Sequence, residues 1–195
     1  MLIPAQRTEN YVPQTFEPLP GDFLLTDIYG WVGKGVAFGQ FVIGDKSPYE
    51  HAALVLDSGE VVEAMPGGAI ISPLSKYIGT KRTHRALFVR PPLEPWQRVL
   101  IGDFGRELAG TPYSFLDYAS IALEHWKIRP QFIVDRVASS KHLICSQLVD
   151  YALREGGFQL FEDGRFHGDV TPGDLYRLAY AKPWAKFQTG LPVKL

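Results

Sequence analysis

Two periods of apolar residues divide the chain. Up to about residue 91 they run in short blocks of strand length, bounded by glycine and proline; from residue 94 they recur at helical spacing. Pro4, Pro13, Pro18 and Pro20 break any element in residues 1–20, so this segment reads as an irregular arm ahead of one domain over 21–195. Gly21-Asp22 opens the strand FLLTDI. Residues 29–50 carry Gly30, Gly33, Gly35, Gly39 and Gly44 among aromatics and read as a loop with one helical turn. This is no phosphate loop, because the order GxxxxGK[ST] is absent. The block HAALVL, residues 51–56, is apolar at both parities and predicts a strand buried on both faces. Asp57-Ser58-Gly59 turns it into EVVEA, residues 60–64, with Gly59 at the left-handed third position of a three-residue hairpin loop. Pro66-Gly67-Gly68 turns again into AIISPL, and RALFVRP, residues 85–91, is a further strand.

Beyond residue 94 the pattern predicts helices. Trp96, Leu100, Phe104 and Leu108 fall at helical spacing with Gly110 as the stop. Residues 115–126 read as a second, mostly buried helix and 132–137 as a short third. Residues 143–154 form another, with Leu148, Val149, Ala152 and Leu153 inward and Gly156-Gly157 at its end. Thr171-Pro172-Gly173-Asp174 has the cap, the first-turn proline and the early acid of a helix start. A strand meander followed by helices predicts an α+β fold, an antiparallel sheet or small barrel packed against helices, rather than a doubly wound one.

Composition narrows the function classes. A net charge of −1 gives no field toward nucleic acid or anionic membrane, and the one basic cluster, residues 81–85, reads as a solvated strand edge. No apolar run approaches the ~18 residues of a membrane span, and MLIPAQRTENYVPQ lacks a signal-peptide pattern, so the expected location is cytoplasmic. With one cysteine there is no internal disulfide. There is no HExxH motif, Cys/His cluster or dinucleotide fingerprint, so neither a metal nor a cofactor is expected.

That cysteine, Cys145, sits near the start of the helix over 143–154. There the helix dipole and unpaired backbone N–H groups favour a thiolate and can hold an oxyanion. The same position also suits a small apolar filler. A nucleophile needs a base in reach. Of the five histidines, His84, His125, His142 and His167 lie in polar, terminal or loop contexts, whereas His51 begins an otherwise apolar strand. With a three-residue hairpin loop, Ala53 faces Glu63, and Glu63 lies one diagonal, ~7–8 Å, from His51 on the same sheet face. Two polar residues on one face of a buried hairpin are best satisfied by each other, and a His–carboxylate pair would fix the ring's tautomer.

HAALVLDSGEVVEAMPGGAIIS resembles the His-strand hairpin of NlpC-like, papain-fold cell-wall peptidases, in which the third polar residue follows the histidine by the twelve positions that separate His51 from Glu63. The order His51, Glu63, Cys145 resembles the circularly permuted branch, the YiiX/YaeF-type papain-like amidases, with lecithin:retinol acyltransferase-like proteins as more distant kin. PGDFLLTD, SPYEHAALVL, GTPYSFLDY, ICSQLV and DVTPGDL add to the likeness, which spans about residues 20–180. The resemblance implies a permuted papain-like fold and a metal-free thiol amidase or peptidase. Cys145 would be the nucleophile, His51 the base and acid, Glu63 the orienting residue, and Tyr113 of GTPY a substrate or oxyanion contact. The substrate class it implies is a cell-wall peptide or a lipid-like N-acyl amide, with a wall enzyme needing delivery by another system such as a phage apparatus. An acyltransferase or lipid acyl hydrolase of the same fold, and an inactive interaction module, remain the alternatives.

Overall fold

The apolar blocks of the first half pair into one antiparallel sheet whose two faces are both covered. The computed structural model describes residues 17–27, 47–57, 59–65, 68–78, 85–111, 145–165 and 170–189. Within these, the strands are β1 (Phe23–Thr26), β2 (His51–Val55), β3 (Glu60–Met65), β4 (Gly68–Pro73), β5 (Ala86–Arg90) and β6 (Ala185–Thr189), and the helices are α1 (Pro95–Glu107), α2 (Cys145–Glu155) and α3 (Pro172–Ala181). The strand order is β4-β3-β2-β1-β5-β6, with every neighbouring pair antiparallel. This is the expected α+β arrangement with an antiparallel sheet. The ladder does not close into a barrel among the described residues. Its two ends nevertheless approach each other, since the Thr189 hydroxyl at the end of β6 donates to the Tyr77 carbonyl beyond β4.

Strand parity sorts the core into two clusters. Ala52, Leu54, Leu56 and Val62 face α2 and meet Cys145, Leu148, Val149, Ala152 and Leu153. Ala53, Val55 and Val61 face the other way and pack with Leu24, Leu74, Tyr77 and Phe88. The four α2 positions expected inward are all fully buried. In α1 the helix forms where the spacing placed it, but its buried face is Gln97, Ile101, Gly102 and Gly105, while Trp96 and Leu100 are exposed. Gly105 explains the rotation. A Cβ on Gly105 would stand 2.6 Å from the Leu56 side chain, so this smooth face, not the bulkier one, allows the helix to close on the sheet.

Two of the sequence motifs turn out to hold the frame. Asp22 of PGD is fully buried and accepts from the Leu19 amide and from the Arg90 and Arg98 guanidinium groups, tying β1 to β5 and α1. In TPGD, Thr171 caps α3 and exchanges hydrogen bonds with Asp174 in a capping box, as expected. The strand β6 was not anticipated: its residues are exposed or half-buried, as an edge strand's are, so it carries little apolar pattern. The irregular arm up to residue 16, the loop from 28 to 46, and the helices expected over 115–126 and 132–137 lie outside the described residues. Among the described residues no helix is long and apolar enough to cross a membrane.

Candidate functional site

The hairpin geometry decides which polar side chains meet. Leu54 pairs with Val62 and Val55 with Val61, the register that sets Ala53 opposite Glu63. Gly59 closes the loop at φ +73°, and the Leu56 amide donates to the Glu60 carbonyl. A two-residue turn would have moved Glu63 to the face of α2. Instead His51 and Glu63 share a face, and His51 Nε2 lies 2.7 Å from Glu63 Oε2. The pair is closed to solvent, with His51 3% and Glu63 0% exposed.

Glu63 has more partners than the sequence suggested. After β4, a 3₁₀ turn (Leu74–Lys76) folds back over the hairpin, pinned by the Leu74 amide to the Gly59 carbonyl. That return brings the Lys76 ammonium to 2.8 Å from Glu63 Oε1 and the Tyr77 hydroxyl, which donates, to 2.6 Å from Oε2. Both residues escaped the sequence reading, because their approach depends on a turn beyond the neighbouring strand. The signal that could have found them is the demand of a buried carboxylate for a cation, which Lys76 in SPLSKY can meet.

Cys145 opens the described span of α2 and is buried. Its neighbour Ser146 anchors the start of the helix by donating to the Val170 carbonyl at 2.6 Å, just ahead of α3. Burial alone would suit an apolar filler. The side chain, however, is a hydrogen-bond partner of the His51 ring, which a filler does not require. The structure thus brings Cys145, His51 and Glu63 together. Tyr113 lies outside the described residues, as do His84, His125, His142 and His167.

The electrostatics follow from these contacts. Burial pushes the His51 imidazolium toward losing its proton, but Cys145 and Glu63 outweigh it and hold the ring up at about 9. Burial opposes ionisation of Glu63 too, yet His51, Lys76 and Ser72 overcome it and keep the carboxyl well below its usual range. Burial and the adjacent Glu63 charge push the Tyr77 phenol far up, so it stays a donor. A carboxylate whose folded pKa is depressed adds stability that is present above its unfolded value near 4.5 and lost as pH falls. Urea midpoints should therefore drop between pH 6 and pH 3 by the equivalent of roughly 2 kcal/mol, and a Glu63→Gln protein should show a shallower acid decline. An equally steep decline in that variant would remove Glu63 as the source.

Comparisons with known proteins add the fold. No family model matches the chain, and no curated protein matches it. Among solved structures, the crystal structure of the metalloprotein YiiX from Escherichia coli O157:H7 superposes with a TM-score of 0.61 at 16% identity, covering 91% of this chain and 100% of that one. The chain is similar to YiiX in fold over nearly its whole length.

Proposed function

We propose that the chain is a cysteine hydrolase of the permuted papain-like type, which cleaves a peptide or N-acyl amide bond through a thioester on Cys145. The observation that carries this reading is the His51 ring held between a cysteine at a helix start and a buried carboxylate. The likeness in fold to YiiX supports it.

The steps use only groups already in place. Glu63 occupies Nε2 of His51, which leaves Nδ1 for Cys145. The thiol proton passes to the ring, and the thiolate attacks the amide carbonyl. The backbone N–H groups at the start of α2 take the oxyanion. The C–N bond breaks as His51 returns its proton to the leaving amine. Neutral His51 then takes a proton from water, hydroxide adds to the thioester, and the acid leaves with the sulfur restored. Glu63 keeps the imidazole oriented throughout and stabilises its charged form. The expected substrates are a cell-wall peptide or a lipid-like N-acyl amide, with Tyr113 as a substrate or oxyanion contact.

The metal of YiiX has no counterpart in this scheme. Among the described residues no group of three or more His, Cys, Asp or Glu side chains is placed to hold an ion. The Glu63 carboxylate is already engaged by a ring nitrogen, an ammonium and a phenol. These residues do not fit a metal, and no step is routed through one.

The test is to mix the protein with a p-nitrophenyl acyl ester, quench in acid and measure the mass of the peptide containing Cys145. The expected result is one added acyl group, released by hydroxylamine and absent from a Cys145→Ala protein. If the two proteins release p-nitrophenol equally and no adduct forms, the enzyme reading fails and an interaction module of the same fold takes its place. Faster uptake of the acyl group by an added amine than by water would assign the transferase form.

A further inference from the structure

The thiol-site reading needs His51 oriented, but Glu63 brings a problem that a neutral orienting amide would not. A fully buried carboxylate beside an imidazole stabilises the imidazolium strongly. The scheme above needs the ring to give its proton up to the leaving amine. A third charge sits in the site to meet this. Lys76 reaches Glu63 Oε1 while His51 and Tyr77 share Oε2, so both carboxylate oxygens are taken. We propose that Lys76 is a positioning residue that balances the Glu63 charge and thereby governs proton exchange at His51, with the Tyr77 hydroxyl fixing the carboxylate plane. The inference rests on the thiol-hydrolase reading for its purpose, though not for its electrostatics.

The placement of the turn supports a dedicated role. The Tyr77 ring is 2% exposed, among Leu24, Ala53 and Val55 on the face that carries His51 and Glu63. Its carbonyl accepts from the Thr189 hydroxyl, and at the other end of the turn the Leu74 amide donates to the Gly59 carbonyl. The turn is thus fastened at both ends, and Lys76 extends from it with its ammonium on the buried carboxylate and the side chain 37% exposed. Among the described residues, the charged or titratable groups around the ring are Cys145 from α2, Glu63 from β3, and Lys76 and Tyr77 from the turn. From β1 the residue opposite His51 is the uncharged Thr26, and Asp27, the next along, acts on Tyr49.

Removing the ammonium takes a positive charge away from the imidazolium, so the ring must hold its proton more tightly. In a Lys76→Met protein the His51 ring should titrate roughly one pH unit higher, about tenfold in its proton equilibrium, a figure that allows for screening of a partly exposed lysine. Lys76→Arg should restore the wild-type value. Lys76→Gln, which keeps a donor without the charge, should behave like Lys76→Met. The experiment is a titration of the His51 ring signal by NMR, assigned with a His51→Gln protein, alongside the rate at which iodoacetamide alkylates Cys145. Lys76 lies partly in solvent, and circular dichroism of each variant confirms its fold. A His51 titration that is unchanged in Lys76→Met, or unchanged in Lys76→Gln, overturns the inference even if Cys145 reacts quickly. A Lys76-dependent His51 beside an unreactive Cys145 sinks the thiol reading instead and leaves the charge balance standing.

Discussion

A Glu63→Ala protein should lose about 3–5 kcal/mol of stability, more than a Cys145→Ala protein, although both positions are buried. The difference lies in what each substitution leaves behind. Cys145→Ala removes one sulfur, a small cavity cost, and one partner of a His51 ring that keeps Glu63 as the other. Glu63→Ala takes the shared acceptor from His51, Lys76 and Tyr77 together. Lys76 can swing to water, but the Tyr77 hydroxyl and the His51 ring have no such escape, and leaving a buried donor unsatisfied costs about 1–3 kcal/mol per group. Urea denaturation of both proteins at pH 7 is the check. A loss at Glu63→Ala no greater than at Cys145→Ala would mean that the network contributes little.

His51→Ala should have the second large effect, on the reactivity of Cys145. With the ring gone, the thiol has no imidazolium to hold it ionised. An ordinary cysteine near pKa 8.5 is under about 1% thiolate at pH 6. The alkylation rate at pH 6 should therefore fall by roughly 10²-fold, while His51→Ala remains folded by circular dichroism. A rate within a few-fold of the wild type would show that something other than His51 activates the sulfur. The same measurement on Glu63→Gln should give an intermediate rate, since the ring keeps a neutral acceptor in place of a carboxylate.

Much of this arrangement is legible in the sequence, for local reasons. The hairpin register follows from the left-handed position that Gly59 fills, and that register alone carries Glu63 to the His51 face. The inward face of α2 follows from Leu148, Val149, Ala152 and Leu153, and the start of α3 from Thr171 and Asp174. What was missed depends on packing between distant segments. The outer stripe of α1 carries the larger apolar residues, yet Gly105 turns the helix the other way by letting its backbone approach the sheet. Lys76 and Tyr77 join the site only because a 3₁₀ turn folds back across a hairpin that ends in Gly59. Their side chains give no periodic signal. That Cys145 meets His51 was an expectation drawn from resemblance, since ninety-four positions separate the two and no local pattern joins them. The contact between their side chains is what the structure adds.

The most direct test of a thiol site is the rate at which iodoacetamide alkylates Cys145 in the folded wild-type protein at pH 6, set against a simple free thiol in the same buffer. A sulfur paired with the His51 imidazolium should react at least about tenfold faster than the free thiol, with the label mapping to Cys145. No labelling until the protein is unfolded in urea would make Cys145 a core side chain of α2 and contradict the account.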